Sequence, residues 1–337
     1  MIARPALAAA LLLLAGPAAA VDATVSAAPV TSFRGAGLDM PVDRLIFRGG
    51  LTLQSQDDTF GGLSSVSQTG PEQRITFVTD RGNFVAGQLA YDQADRLIGL
   101  IGVTIEPMQN SGGEVLPRQY ARDAEGMDTI WRNGEAVAVR VGFEHLTRVA
   151  DFAITDGKPG GPAREISIPQ WLTDLRTNET LESVCIAPPA SPIAGSTLLI
   201  AEEALDENGN HRAELLGQND KGPLTYVNSP IVNPTDCKFL PNGDLLVLER
   251  GVSLFAFVMN LRRVPASEVR PGNLMEGELL LSAQGGEIDN MESLMVHQTP
   301  GGETRILIGS DNNFNDWQRT LLLEFALPDQ GSSSISQ

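Results

Sequence analysis

Acidic side chains recur at matching places along this chain. Five segments share one pattern: a small residue with an apolar pair, a turn, then an apolar strand that ends in acid. They are FGGLSSVSQTGPEQRITFVTDRG (60–82), DAEGMDTIWRNGEAVAVRVGFEH (123–145), LESVCIAPPASPIAGSTLLIAEE (181–203), PTDCKFLPNGDLLVLERG (234–251) and NMESLMVHQTPGGETRILIGSDN (290–312). Anchored on Gly62, Gly126, Ser183, Asp236 and Ser293, they are 64, 57, 53 and 57 residues apart. Glu125, Glu182 and Glu292 stand at the openings. Asp80, Glu202, Glu249 and Asp311 stand at the strand ends. Carboxylates brought together repel, and some take up protons when desolvated. A hard cation relieves this, and Ca²⁺ accepts six to eight oxygens in irregular geometry. Asp and Asn at strand ends also cap turns through their own backbone. Each acid taken alone therefore has a structural reading, and it is the repetition that argues for binding.

Positioning such a set falls to short strands. RITFVTDRG, EAVAVRVGF, STLLIAEE, DLLVLERG, TRILIGSD and RTLLLEFAL are strand-length apolar runs bounded by Gly, Pro, Asn or Asp, and long amphipathic helix patterns are nearly absent. This is an all-β chain. A unit of several strands repeating at near-constant spacing implies a β-propeller, whose first strands line a central channel. Glu125, Glu182 and Glu292 would then converge on one axis. RLIFRGGLTLQS (Arg44 to Ser55) and the last strand belong to none of the five units, which favours a six-bladed ring closed by pairing N- and C-terminal strands, with five or seven blades left open.

Residues 1–20 read as a signal peptide, with Arg4 in the charged region, a short apolar run and the small pair Ala18 and Ala20 at the cleavage site. Residues 21–43 are expected to be an N-terminal extension, 44–328 the propeller, and 329–337 a disordered tail. No later run is long enough to span a bilayer, so the expectation is an exported monomer, periplasmic or secreted. Without the leader, 23 Lys and Arg stand against 42 Asp and Glu. That balance argues against nucleic acid as a partner. An oxidising compartment permits a bridge between Cys185 and Cys237, but sequence leaves their pairing open. No G-x-S-x-G, H-E-x-x-H, P-loop or dinucleotide fingerprint is present.

GGLSSV, FVTDRG, DAEGMD, PTDCKFLPNGDLLVLERG, NMESLMV and above all SDNNFNDWQRTLLLEFAL give the chain, from about Leu45 to Leu327, a resemblance to the exported bacterial "esterase-like activity of phytase" family, or phytase-like domain proteins. The resemblance implies a β-propeller with functional Asp and Glu, and hydrolysis of phosphoesters or phosphodiesters. Glu125, Glu182, Glu292 and Asp311 would hold a cation, with Ca²⁺ expected. Glu125 and Glu292 would serve catalysis, and Arg81, Arg250 and Arg319 would contact phosphate through the guanidinium fork. The family tends to write Glu-Gly at blade openings. Here only Glu125-Gly126 keeps it, Ser183 and Ser293 stand for Gly, and Thr235-Asp236 shifts the acid by one position. The other function class left open is a non-catalytic periplasmic propeller that binds a small ligand or a partner protein.

Overall fold

The computed structural model describes residues 20–117, 119–175 and 180–328. The expected C-terminal tail and the expected signal peptide, Ala20 apart, lie outside them. The strands form five antiparallel blades around one axis. Blade 1 is Leu63–Gln68, Arg74–Thr79, Asn83–Tyr91 and Leu97–Pro107. Blade 2 is Ala124–Arg132, Glu135–Phe143, Arg148–Thr155 and Lys158–Ile166. Blade 3 is Leu181–Ile186, Thr197–Leu205, His211–Leu216 and Gly222–Tyr226, and blade 4 is Val232–Phe239, Leu245–Ser253, Ala256–Val264 and Glu278–Gln284. Blade 5 begins with Asn290–Gln298, Thr304–Asp311 and Thr320–Ala326, and Leu45–Ser55 and Val25–Val30 complete it.

The expected sixth blade is therefore not formed. Leu45–Ser55 pairs antiparallel with Thr320–Ala326, Leu53 opposite Thr320 and Ile46 opposite Ala326. Strands counted as a separate blade are the outer half of the fifth. Nor is 21–43 an extension that precedes the domain. Val21–Asp22 adds an edge to blade 1 and Val25–Val30 an edge to blade 5.

Flat sheets stacked radially bury their faces against each other, so the core is divided. Separate apolar clusters fill the spaces between blades 1 and 2 (Phe84, Phe143, Phe152), 2 and 3 (Val149, Leu181, Leu199), 3 and 4 (Leu198, Tyr226, Val247), 4 and 5 (Leu248, Leu261, Leu294) and 5 and 1 (Leu51, Phe77, Leu307). Cys185 and Cys237 form a disulfide that ties the inner strands of blades 3 and 4, with Cα atoms 5.7 Å apart. No helix among the described residues is long and apolar enough to cross a membrane.

Every inner strand breaks register with its neighbour near its start, and that of blade 2 does so again between Ile130 and Trp131. The breaks fall between Leu63 and Ser65, Ala124 and Met127, Leu181 and Ser183, Pro234 and Asp236, and Met291 and Ser293. A bulge inserts an extra residue and re-aims its side chain. The bulged residues are Ser64, Glu125 with Gly126, Glu182, Thr235 and Glu292. The first unit is thus anchored on Ser65, not on Gly62. Gly126 has a steric reason: a Cβ there would lie 2.5 Å from the Glu182 carbonyl oxygen on the next inner strand.

Candidate functional site

The bulges place Glu125, Glu182 and Glu292 in one tier, with Ser64 and Thr235 at the equivalent positions of blades 1 and 4. Strand register gives the next tier. Opposite each inner strand, just past the last paired residue before the bulge, the second strands present Asp80, Glu144, Glu202, Arg250 and Asp311. Side chains alternate across a strand, so Glu249 cannot share Arg250's direction. It takes hydrogen bonds from Tyr226 Oη (2.5 Å), Ser229 Oγ (3.3 Å), Asn260 Nδ2 (3.1 Å) and Arg262 Nε (3.2 Å) between blades 3 and 4. The expected place of Glu249 among the channel acids is corrected on that ground, and Arg250 occupies it.

Two carboxylate triads result. Asp123, Glu125 and Glu144 offer oxygens within 4.8 Å of one another, and so do Glu144, Glu182 and Glu202. Glu144 belongs to both, and its Oε1 also accepts the Thr180 N–H at 2.6 Å. Asp123 lies 3.1 Å from His145 Nε2. Asn233 Nδ2 donates to Glu202 at 3.3 Å. Glu292 Oε1 takes bonds from Arg250 Nη2 (2.9 Å) and Asn290 Nδ2 (2.7 Å). Asp311 lies beside Glu292 and accepts the Asn313 N–H at 2.6 Å.

Burial and mutual repulsion dominate the electrostatics. Desolvation first, then the neighbouring acids, hold Glu125, Glu182 and Asp311 well above the usual carboxylate range. Burial also raises Asp123, and pushes Asp80 up to about 7 and Glu144 up to about 8. Arg250 is disfavoured by burial, but the surrounding Glu292, Glu202, Glu182 and Glu125 outweigh that and stabilise its charge. Asp80 Oδ1 is buried with no hydrogen-bond partner among the described residues. Gly62 makes room for it, since a Cβ there would meet Asp80 Oδ1 at 2.4 Å and Phe314 at 2.3 Å. An all-oxygen set of mutually repelling carboxylates, one oxygen of which lacks a donor, fits a hard cation of the calcium type better than a soft one.

Below these tiers an ion pair lies buried among the inner strands. Asp236 is fully buried, with its pKa pushed up to about 6 by burial against the pull of Lys238. It accepts from Ser65 Oγ at 2.8 Å and from the Leu294 N–H at 2.9 Å. Lys238 Nζ bonds Asp236 Oδ1, the Met127 carbonyl and the Cys237 carbonyl at 2.9–3.0 Å. One ion pair so joins blades 1, 2, 4 and 5.

Of the residues singled out from sequence, Glu125, Glu182, Glu292, Asp311 and Arg250 come together. Arg81 and Arg319 do not join them. Arg81 stacks on Phe314, its guanidinium carbon 3.3 Å from the ring centroid. Arg319 is spent on Asp289 Oδ2 (3.3 Å) and on the carbonyls of Gly286 and Ile288 (2.8 Å each). Sequence reading missed Asp123 and Glu144. Glu144 ends a second strand just as Asp80, Glu202 and Asp311 do, so the repeat itself held the signal. Asp123 needs the register of the bulge.

No curated protein matches this sequence. Among solved structures, a gluconolactonase from Xanthomonas campestris is 11% identical, with 93% of this chain and 99% of that chain covered and a TM-score of 0.42. Residues 58–314 match the phytase-like family, described as esterase-like activity of phytase, and the chain belongs to that family.

Proposed function

We propose that this protein is an exported, metal-dependent hydrolase of phosphoesters or phosphodiesters whose site is the carboxylate mouth of the propeller. The observation that carries this reading is the pair of triads sharing Glu144, with the Arg250 guanidinium beside them. Family membership supports hydrolysis, and the disulfide supports an oxidising compartment. Asp123, Glu125, Glu144, Glu182 and Glu202 would hold the cation. Glu292 and Asp311 would complete the acidic wall. Bound there, Ca²⁺ would polarise a phosphoryl oxygen and make a coordinated water more acidic. Arg250, anchored by Glu292, offers guanidinium donors to a phosphate oxygen. Asp80, with one unpartnered oxygen and a pKa near neutrality, is suited to hold a proton at Oδ1.

The engagement of Arg81 and Arg319 elsewhere favours a second reading, a non-catalytic binding propeller, because it leaves Arg250 as the one guanidinium of the three within the acidic wall. Calcium separates the two. At a concentration about 100 times Kd it should add roughly 2.7 kcal/mol, read as a rise in Tm of about 5 °C or more. It should also switch on hydrolysis of bis(p-nitrophenyl) phosphate. Glu144→Gln should remove both effects. A chelator that changes neither Tm nor turnover sinks the metal-dependent reading. A calcium-dependent Tm without turnover leaves the binding propeller.

A further inference from the structure

The hairpin between the second and third strands of blade 4 breaks two rules at once. Ser253 pairs with Ala256, so Leu254 and Phe255 alone make the turn. Their φ values are 50° and 66°, the left-handed pair of a type I′ turn that Asn and Gly favour and bulky residues resist. The chain holds the ordinary solution too, for the two-residue hairpins of blade 2 are made by Asn133-Gly134 and Asp156-Gly157. Leu254 and Phe255 are also thrust into water, 88% and 105% exposed. Val252 and Ile231 stand exposed on the same strand and on the connector leading to the inner strand of blade 4, and Ile231 is itself held at φ 80°. Strained backbone and exposed apolar surface together mark a site kept for binding.

Topology says which site. Turns between second and third strands lie on the face where the second strands end, the face of the carboxylate mouth. The Asn-Gly and Asp-Gly hairpins lie on the opposite face. Arg250 enters the ring four residues before Leu254, which sets the tip roughly 13 Å beyond it. Trp317, also strongly exposed, rises on the same face from blade 5. An acidic, cation-fitting mouth beside a projecting apolar edge matches one ligand chemistry: a molecule with an anionic oxygen head and an apolar body.

We infer that the substrate is an amphiphile, its phosphoester head in the carboxylate mouth and its apolar body laid across the Val252–Phe255 hairpin. This rests on the reading of the mouth given above. The test is calorimetric titration of the calcium-loaded protein with ethyl phosphate, octyl phosphate and octyl glucoside, each below its aggregation concentration. The double variant Leu254→Asn/Phe255→Gly restores favoured turn residues and should melt no lower than wild type. Wild type is expected to bind octyl phosphate about tenfold or more tightly than ethyl phosphate. The variant should bring that ratio close to one and leave ethyl phosphate binding unchanged. A ratio near one in wild type, or an equal ratio in the variant, overturns the apolar contact alone. Octyl glucoside binding as tightly as octyl phosphate overturns the link to the mouth. No ethyl phosphate binding at all overturns the phosphate reading beneath it.

Discussion

Asp80 and Glu144 end the second strands of blades 1 and 2, and burial lifts them to about 7 and about 8. Between pH 4 and those values each binds more protons folded than unfolded, so stability declines as pH rises through that window. Chelated protein should lose Tm steadily from about pH 5 to pH 8. Calcium, which favours the ionised carboxylates, should flatten that slope or reverse it. Melting curves with and without calcium across this range check the point, and identical slopes would exclude a cation held by these groups. Deeper on the axis, Lys238→Met strands the Asp236 carboxylate and should cost about 3–5 kcal/mol by chemical denaturation. Adding Asp236→Asn should recover part of the loss. Recurrence in the sequence made Glu125, Glu182, Glu292 and Asp311 visible as a set. The exchange of Glu249 for Arg250 was not visible, because a one-residue shift on a strand reverses the face and no spacing rule announces where a bulge falls.

Among the elements, the inner strands do most to build the site. Each combines a bulge, which carries an acid in blades 2, 3 and 5 and a hydroxyl in blades 1 and 4, with a tail that packs between blades. The repeat was legible as five units, and five blades form. The sixth was inferred because Leu45–Ser55 carries no opening motif of its own, yet an outer strand needs none: it lines no channel. Where sequence could only offer both options for the two cysteines, the adjacency of inner strands 3 and 4 decides, bringing their Cα atoms to 5.7 Å. The bridge spans a sequence separation of 52 residues. In the chain-entropy account, a loop of that size is worth about 4 kcal/mol. Cys185→Ser with Cys237→Ser should lower unfolding stability by an amount of that order in denaturant titration. A loss below about 1 kcal/mol would show that the inner strands hold each other without it.

At the level of the whole molecule, the acidic tiers and the Asp236–Lys238 pair follow one another along the axis, and apolar clusters fill the spaces between blades. Blades 1 to 4 are each made almost entirely from one contiguous stretch of chain. Blade 5 is drawn from both extremities, with Leu53 paired to Thr320. Until its final strand arrives, Leu45–Ser55 presents a bare apolar edge to whatever is near. A polypeptide emerging from a ribosome therefore cannot finish its ring before Thr320–Ala326 is out. Closure of the ring is thus a late event in synthesis, and the waiting strand stays open to other chains until then.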